Sequence, residues 1–528
     1  MRNIIQANID ETGSATERTT NILQNIETWA TAHVKAAKLE HNYERNRITR
    51  DLARVNAKLS LDHTHTTNPQ NLSPTVTAHL NRQRDHLLAN LTALYSREQE
   101  IYCHNFGIER ETNGESCTRG FFDAVRPPRQ TDPITSLRNF NAPQTRKGHL
   151  PDSLNTQEEL NTQADNFYGS PGGLYNLNLT TDVTAQTTIL DSLARDGKYL
   201  PQHAIPALSL DNILNPLHIS QTIRGMPNHS TPGVDGFPTD FFKVFAGVDT
   251  ETEDPTTKIK TASPNPFAAL LGQAFLEMRT AGSMSPNMRR GVISIIFKDK
   301  GRRDDLRNYR PITVLCSLYK ILSRAIALRL GTVLPHLVDS IQAAFQTEKR
   351  TSNVTRLVQD LIDHCEENGL SGILAFCDQE KAYDRVNWDF LFAVLKRMNI
   401  PDDFINLVKL LLHDNILNAK VNGHLGAPFQ PTNGVKQGCG LSPLLYILVI
   451  QTLLSLIHTA DGPPGSDTAP YEGIAFPTAR RGDTDARTHS LASAYADDII
   501  AYLKNQAQLP AFQRLIATFE AGSGALMN

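Results

Sequence analysis

The chain has 528 residues, 40% of them hydrophobic and 20% charged, an ordinary globular composition with length enough for several domains and no signature of wholesale disorder. A formal net charge of −3 gives no global attraction for nucleic acid, but it is only a sum, and binding depends on where the charge sits. The six cysteines (Cys103, Cys117, Cys316, Cys365, Cys377, Cys439) show no Cys-x-x-Cys spacing, which excludes a zinc knuckle here, and no signal peptide precedes them, so reduced thiols are expected.

Residues 1–125 read as a helical, highly polar extension. Val34, Ala37, Leu39, Tyr43, Ile48, Leu52, Val55 and Leu59 form a loose helical stripe, 71–74 breaks it, and a second helix is predicted near Val76–Tyr95, which together suggest a helical hairpin. The His63-Thr64-His65 pair sits in a Thr/Asn/Pro-rich connection and reads as a solvated loop. Residues 126–205 are rich in Pro, Asn, Thr, Gly and Asp and read as a linker with short helices. Its Gly169-Ser170-Pro171-Gly172-Gly173 cluster lacks the Lys-Ser/Thr of a phosphate-binding loop.

Residues 286–360 carry 14 Lys/Arg against 6 Asp/Glu, a local excess that suits a phosphate-facing groove. Lys320, Arg324 and Arg329 fall on one helix whose other face is Leu318, Ile321, Leu322 and Ile326. Further on, Ile373–Cys377 is a continuous apolar run that ends in Asp378. A buried strand that stops at an acid delivers it to one edge of a sheet. Asp384 reads as an acid at a helix start, where it favours the dipole. Gly434–Leu445 supplies three glycines, a backbone that something flat can approach, and Ser442-Pro443 then opens an apolar helix. That run, Leu441–Ile457, is too short and too polar to span a membrane and is expected to be a core helix. After a Pro/Gly/Arg-rich loop at 461–487, Tyr495-Ala496-Asp497-Asp498 reads as a hairpin turn lifting two carboxylates from a sheet. Carboxylates from two strand ends repel unless cations sit between them, which points to a two-metal site.

These segments resemble, in order, the motifs of non-LTR (LINE-like) retrotransposon reverse transcriptases: Thr231–Phe237, Asn308–Ile312, Phe376-x-Asp378-x-x-x-x-Tyr383-Asp384, Gln437-Gly438-x-x-x-Ser442-Pro443 and Tyr495–Asp498. The resemblance covers roughly residues 206–528. It implies an α+β right-hand polymerase with fingers at 206–375 and an incomplete palm, built on an antiparallel sheet, at 376–528. It implies RNA-directed DNA polymerase activity for target-primed reverse transcription; the alternative is a non-catalytic relic that at most binds RNA. Asp378, Asp497 and Asp498 would be the catalytic and metal-binding residues, holding two Mg²⁺ for which Mn²⁺ substitutes. Lys298, Arg310, Tyr383, Gln437 and Gly438 would bind the nucleotide, with the Tyr383 ring excluding a 2′-hydroxyl. RNA template, DNA primer and target, and deoxynucleoside triphosphates would be the partners, in nucleus and cytoplasm and away from membranes, with endonuclease activity supplied elsewhere in the element. The sequence departs from the family pattern at Gly440, where proline is usual, and in Phe345–Asn353, which lacks a glycine before its arginine. It also stops before the lysine-bearing motif, primer grip and thumb, so a thumb is expected to be absent.

Overall fold

The computed structural model describes residues 5, 7, 9, 12–63, 74–105, 133–138, 153–228, 230–246, 250–253, 260–263, 265–346, 349–460, 471–475 and 489–528. The expected break at 71–74, His65, most of the 461–487 loop and part of the 126–205 stretch therefore lie largely outside the described residues. The chain divides into two compact units, 1–8 with 20–132 and 9–19 with 133–528.

The first unit is helical. Helix α1 (Ala15–His63) contributes most of its length and α2 (Pro74–Asn105) follows. Ile22, Leu23, Ile26, Ile48, Val55 and Leu80 are buried, so the apolar residues among many charged ones are the ones removed from water.

The second unit is a mixed α+β assembly with small sheets. Helices α3 (Gln157–Tyr168) and α4 (Val183–Arg195) are each capped by the residue before them: Thr156 accepts from the Glu159 amide in a full capping box, and Asp182 accepts from the Ala185 amide. Such caps satisfy amide groups that the helix leaves without partners. Helix α5 (Pro266–Ala281) precedes strand β1 (Arg290–Phe297), and β2 (Tyr309–Leu315) returns beside it. Helices α6 (Ser317–Leu337) and α7 (Thr351–Glu367) lead into β3 (Ile373–Cys377). Then come α8 (Trp388–Arg397), α9 (Asp402–His413), β4 (Ile416–Val421), β5 (His424–Phe429) and α10 (Ser442–His458). Strands β6 (Ala492–Tyr495) and β7 (Asp498–Leu503) and helix α11 (Leu509–Ser523) complete the unit.

Two sheets position the site. One has the order β2-β1-β4-β5, with β1 and β4 parallel and the other pairs antiparallel. Its core brings Ile293, Tyr309, Leu417 and Val421 against Leu160, Ala164 and Tyr168 of α3 and against Leu174 and Tyr175. Each such fully buried aliphatic side chain contributes about 1.5–3 kcal/mol. The other sheet is antiparallel throughout, with the order β6-β7-β3. Helix α10 is apolar on every side, and its buried residues run from Leu445 without a gap to Ile457, as expected of a core helix. Among the described residues no helix is long and apolar enough to cross a membrane.

Candidate active site

The register of the antiparallel sheet decides where the acids go. Ile499 of β7 pairs with Cys377 of β3, and Tyr495 of β6 pairs with Asp498. The next residues beyond Cys377 and Ile499, Asp378 and Asp498, therefore leave the sheet at the same edge, and Asp497 sits in the two-residue loop between β6 and β7. Asp378 and Asp498 are exposed while Asp497 is half-buried. Burial raises the Asp497 carboxyl above its ordinary range, and the charges of Asp498 and Asp378 push the same way. This is surplus negative charge with no cationic side chain paired to it among the described residues, and a divalent cation would relieve it. On the other side of β3, residues 526–528 run beside 378–380: the Asn528 amide donates to the Asp378 carbonyl at 2.7 Å and the Glu380 amide to Leu526 at 2.9 Å.

A cleft of about 730 Å³ opens over these acids. Asp378 and Asp497 line it together with Lys298, Arg310, Tyr383, Gln437 and Gly438, so seven of the eight residues singled out from sequence converge. Asp498 belongs to the same hairpin. Lys298 follows the end of β1 and Arg310 lies in β2 opposite Ile296, so one β-hairpin delivers both cations. Both are exposed and form no ion pair among the described residues.

The Tyr383 ring stacks on Tyr446 of α10 with centroids 4.8 Å apart and planes 14° from parallel. The Tyr446 hydroxyl donates to the Gln379 side chain at 2.5 Å. Tyr383 is thus held against α10 and stays half-buried beside Asp497, whose charge, after burial, helps raise its phenol.

The glycine-rich loop is fastened to β2 and to the segment that follows β3. The Thr313 amide of β2 donates to the Gln437 carbonyl at 2.6 Å, while the amides of Gly434 and Val435 donate to the Val386 and Tyr383 carbonyls at 2.8 Å each. At Gly438, with φ 120°, an added Cβ would lie 2.4 Å from the Thr313 carbonyl oxygen. Only glycine fits that close approach. Gly440, by contrast, meets only ordinary contacts with Arg324.

Asp384 differs from its sequence reading. It precedes the α8 cap Asn387 by three residues and is buried, so it does not serve the helix dipole. Its carboxylate accepts the Tyr175 hydroxyl at 2.9 Å and the Gln437 amide at 3.2 Å to each oxygen. Burial pushes its pKa up to about 6, against the lowering effect of those hydrogen bonds and of Lys381. Sequence reasoning also missed Lys436, a buried ammonium that donates to the Leu411 carbonyl at 2.9 Å and the Tyr319 hydroxyl at 3.2 Å. Burial draws its pKa down to about 8. Lys381 lines the cleft with φ 52° and donates to the Arg307 carbonyl at 3.1 Å. On α6, Lys320 donates to the Thr231 carbonyl and Arg324 to that of Gly225.

Elsewhere, Asp196, Asp339 and His458 bring three potential ligand atoms within 4.8 Å of one another. His458 ends α10, whose 17 residues span about 25 Å, and the cleft lies at the Pro443 end. This cluster is therefore separate from the aspartate hairpin, and Lys198, 3.5 Å from Asp339, already supplies a cation.

Residues 297–528 match the family described as reverse transcriptase (RNA-dependent DNA polymerase). The chain carries a reverse transcriptase domain. Similar proteins include the transposon TX1 uncharacterized 149 kDa protein of Xenopus laevis, 30% identical over 59% of this chain and 21% of that protein. A probable RNA-directed DNA polymerase from transposon BS of Drosophila melanogaster is 26% identical over 45% of this chain and 26% of its own length. The RNA-directed DNA polymerase from mobile element jockey of the same fly is 29% identical over 34% and 19%. The chain thus spans about a fifth to a quarter of these relatives.

Proposed function

We propose that this domain copies RNA into DNA for a non-LTR retroelement, extending a primer 3′-hydroxyl on an RNA template in target-primed reverse transcription. The observation that carries this reading is the convergence of Asp378 and Asp497, from separate strands, in a cleft whose other walls bear Lys298, Arg310, Tyr383, Gln437 and Gly438. Asp378, Asp497 and Asp498 offer the hard oxygen donors that Mg²⁺ prefers and that Mn²⁺ also accepts. Two such ions, when bound, would stabilise the charge that develops on the attacking and leaving oxygens.

The chain's own residues position the reactants. Lys298 and Arg310 grip the triphosphate, and the planar guanidinium suits bidentate phosphate contact. Gln437 and Gly438 form a flat floor for the nascent base pair. The Tyr383 ring, braced by Tyr446, lies under the sugar and rejects a 2′-hydroxyl by clash. Holding the hydroxyl and α-phosphate in line supplies much of the catalysis. Acting on RNA and target DNA, the protein would work in nucleus and cytoplasm, and the nick that primes synthesis would come from another part of the element.

The test is primer extension on a primed RNA template with Mg²⁺, alongside a template-binding assay. Extension by the wild type, lost in Asp378→Asn with binding retained, supports the reading. Template binding by the wild type without extension would favour a non-catalytic RNA-binding relic.

A further inference from the structure

The hairpin that carries Asp497 has an unusual turn. Of its two loop residues, Ala496 has φ 57°, a backbone region that costs an L-residue about 1–2 kcal/mol and that glycine would fill without penalty. Ala496 is also buried, with 6% of its surface exposed. A buried peptide group left unpaired costs a further ~1–3 kcal/mol. Something outside the hairpin must therefore hold this turn.

That something is Gln342. Its side chain is fully buried, its Oε1 accepts from the Ala496 amide at 2.9 Å, and its Nε2 reaches the Ala496 carbonyl at 3.4 Å. The same Oε1 accepts from the Ala344 amide at 3.0 Å. The main chain reinforces the grip. The Ala494 amide donates to the Ile341 carbonyl at 3.0 Å and the Ala343 amide to the Ala494 carbonyl at 2.8 Å, a parallel bridge along the outer edge of β6. The clamp is itself anchored, since the Asp339 amide donates to Gln451 of α10 at 2.8 Å and Gln346 donates to the Gln342 carbonyl at 2.5 Å.

We propose that Gln342 is a positioning residue that holds the Ala496 peptide, and through it the carboxylate of Asp497, in the orientation needed to bind a divalent cation. The inference rests on the polymerase reading of the site. Gln342 does not line the cleft. It acts by fixing the peptide plane from which the next side chain departs, as hydrogen-bonding partners behind metal ligands commonly do.

The experiment compares wild type, Gln342→Ala and the volume-filling Gln342→Met, each with and without Ala496→Gly. Mn²⁺ binding by paramagnetic resonance titration gives a readout that needs no turnover, and Mg²⁺ titration of primer extension gives the second. Loss of the clamp should weaken Mn²⁺ binding and raise half-saturating Mg²⁺ at least about tenfold, with the deoxynucleotide KM and template affinity changed less than about twofold. Ala496→Gly should recover part of the loss, because glycine removes the backbone cost that the clamp offsets. If both Gln342 variants lose only melting temperature while Mn²⁺ affinity stays within about twofold of wild type, Gln342 is structural and the proposal is overturned. Wild type that binds Mn²⁺ but extends no primer counts against the polymerase reading, while the Mn²⁺ comparison still decides the clamp.

Discussion

The Tyr175 hydroxyl donates a 2.9 Å hydrogen bond to Asp384 across 209 positions of sequence. The same carboxylate holds Gln437, so a residue far upstream of the polymerase motifs sets the position of a cleft side chain. Tyr175→Phe keeps the ring in its core and removes only the donor. The buried carboxylate then lacks one partner, and stability should fall by about 1–3 kcal/mol, read from urea denaturation midpoints. A midpoint equal to wild type would show that the bond contributes nothing net.

The pH dependence of stability follows from Asp384. Burial pushes its folded pKa up to about 6, against about 3.9 for an unfolded aspartate. The folded state thus binds the proton more tightly, so the stability it contributes is full below about pH 3.9 and lost as pH rises through about 6. Two pH units correspond to at most ~3 kcal/mol. Asp384→Asn cannot ionise, so its stability relative to wild type should rise across about pH 4–7 by up to that amount, measured by denaturation at several pH values. A difference that is flat with pH would place the titration elsewhere.

Asp378→Asn and Asp497→Asn should each abolish most primer extension while leaving template binding near wild type. Stabilisation by bound metal is worth several kcal/mol, so a loss of at least about 10²-fold is expected. Filter binding and single-turnover extension on the same RNA give the two numbers, and comparable losses in both would point to a folding defect instead.

Tyr383→Val should admit ribonucleotides. Its half-buried ring stacks on Tyr446 at the cleft, so shortening the side chain opens space at the sugar. The ratio of ribonucleotide to deoxynucleotide incorporation, from kcat/KM for each, should rise at least about tenfold, the equivalent of ~1.4 kcal/mol of lost discrimination. An unchanged ratio with activity intact would make Tyr383 a packing residue.

Gly438→Ala should be damaging although it adds one methyl. The new Cβ would lie 2.4 Å from a backbone oxygen at a φ of 120°, so the loop must move and strain the Thr313–Gln437 bond. Destabilisation of about 1–3 kcal/mol is expected, together with a raised deoxynucleotide KM. Gly440→Pro, at the position where the sequence departs from its family, serves as the contrast, since Gly440 has no close contact.

Legibility in the sequence followed the range of the interactions. Asp378 and Asp497 were readable because each terminates or interrupts a short apolar run, and a strand's end fixes where an acid emerges. Helix α10 was readable because it is apolar on every face. The parallel pairing of β1 with β4 was not, since it joins segments more than a hundred residues apart and leaves no local pattern. Tyr175 lay in a stretch whose Pro, Asn and Gly content suggested only a connection, yet its ring packs in the core beneath the mixed sheet. Nothing local marks Lys436 as buried, because a lysine beside a glutamine in a glycine-rich loop is ordinarily solvated. Gln342 and Asp384 carry the same lesson: polar residues whose partners are backbone groups or side chains far along the chain have no spacing to betray them.

The glycine-rich loop is stitched to β2 and to the segment after β3 by main-chain bonds of 2.6–2.8 Å. Every residue type except proline offers the same amide and carbonyl, so the width of the cleft is set by groups that nearly every residue shares, as long as the backbone keeps the path that Gly438 requires. Thr313, Val386 and Val435 are buried and answer to packing, but the bonds that set the opening run through their backbones and not their side chains. A lineage can then exchange many side chains around this loop and keep the same opening, because the contacts that define it run through the backbone.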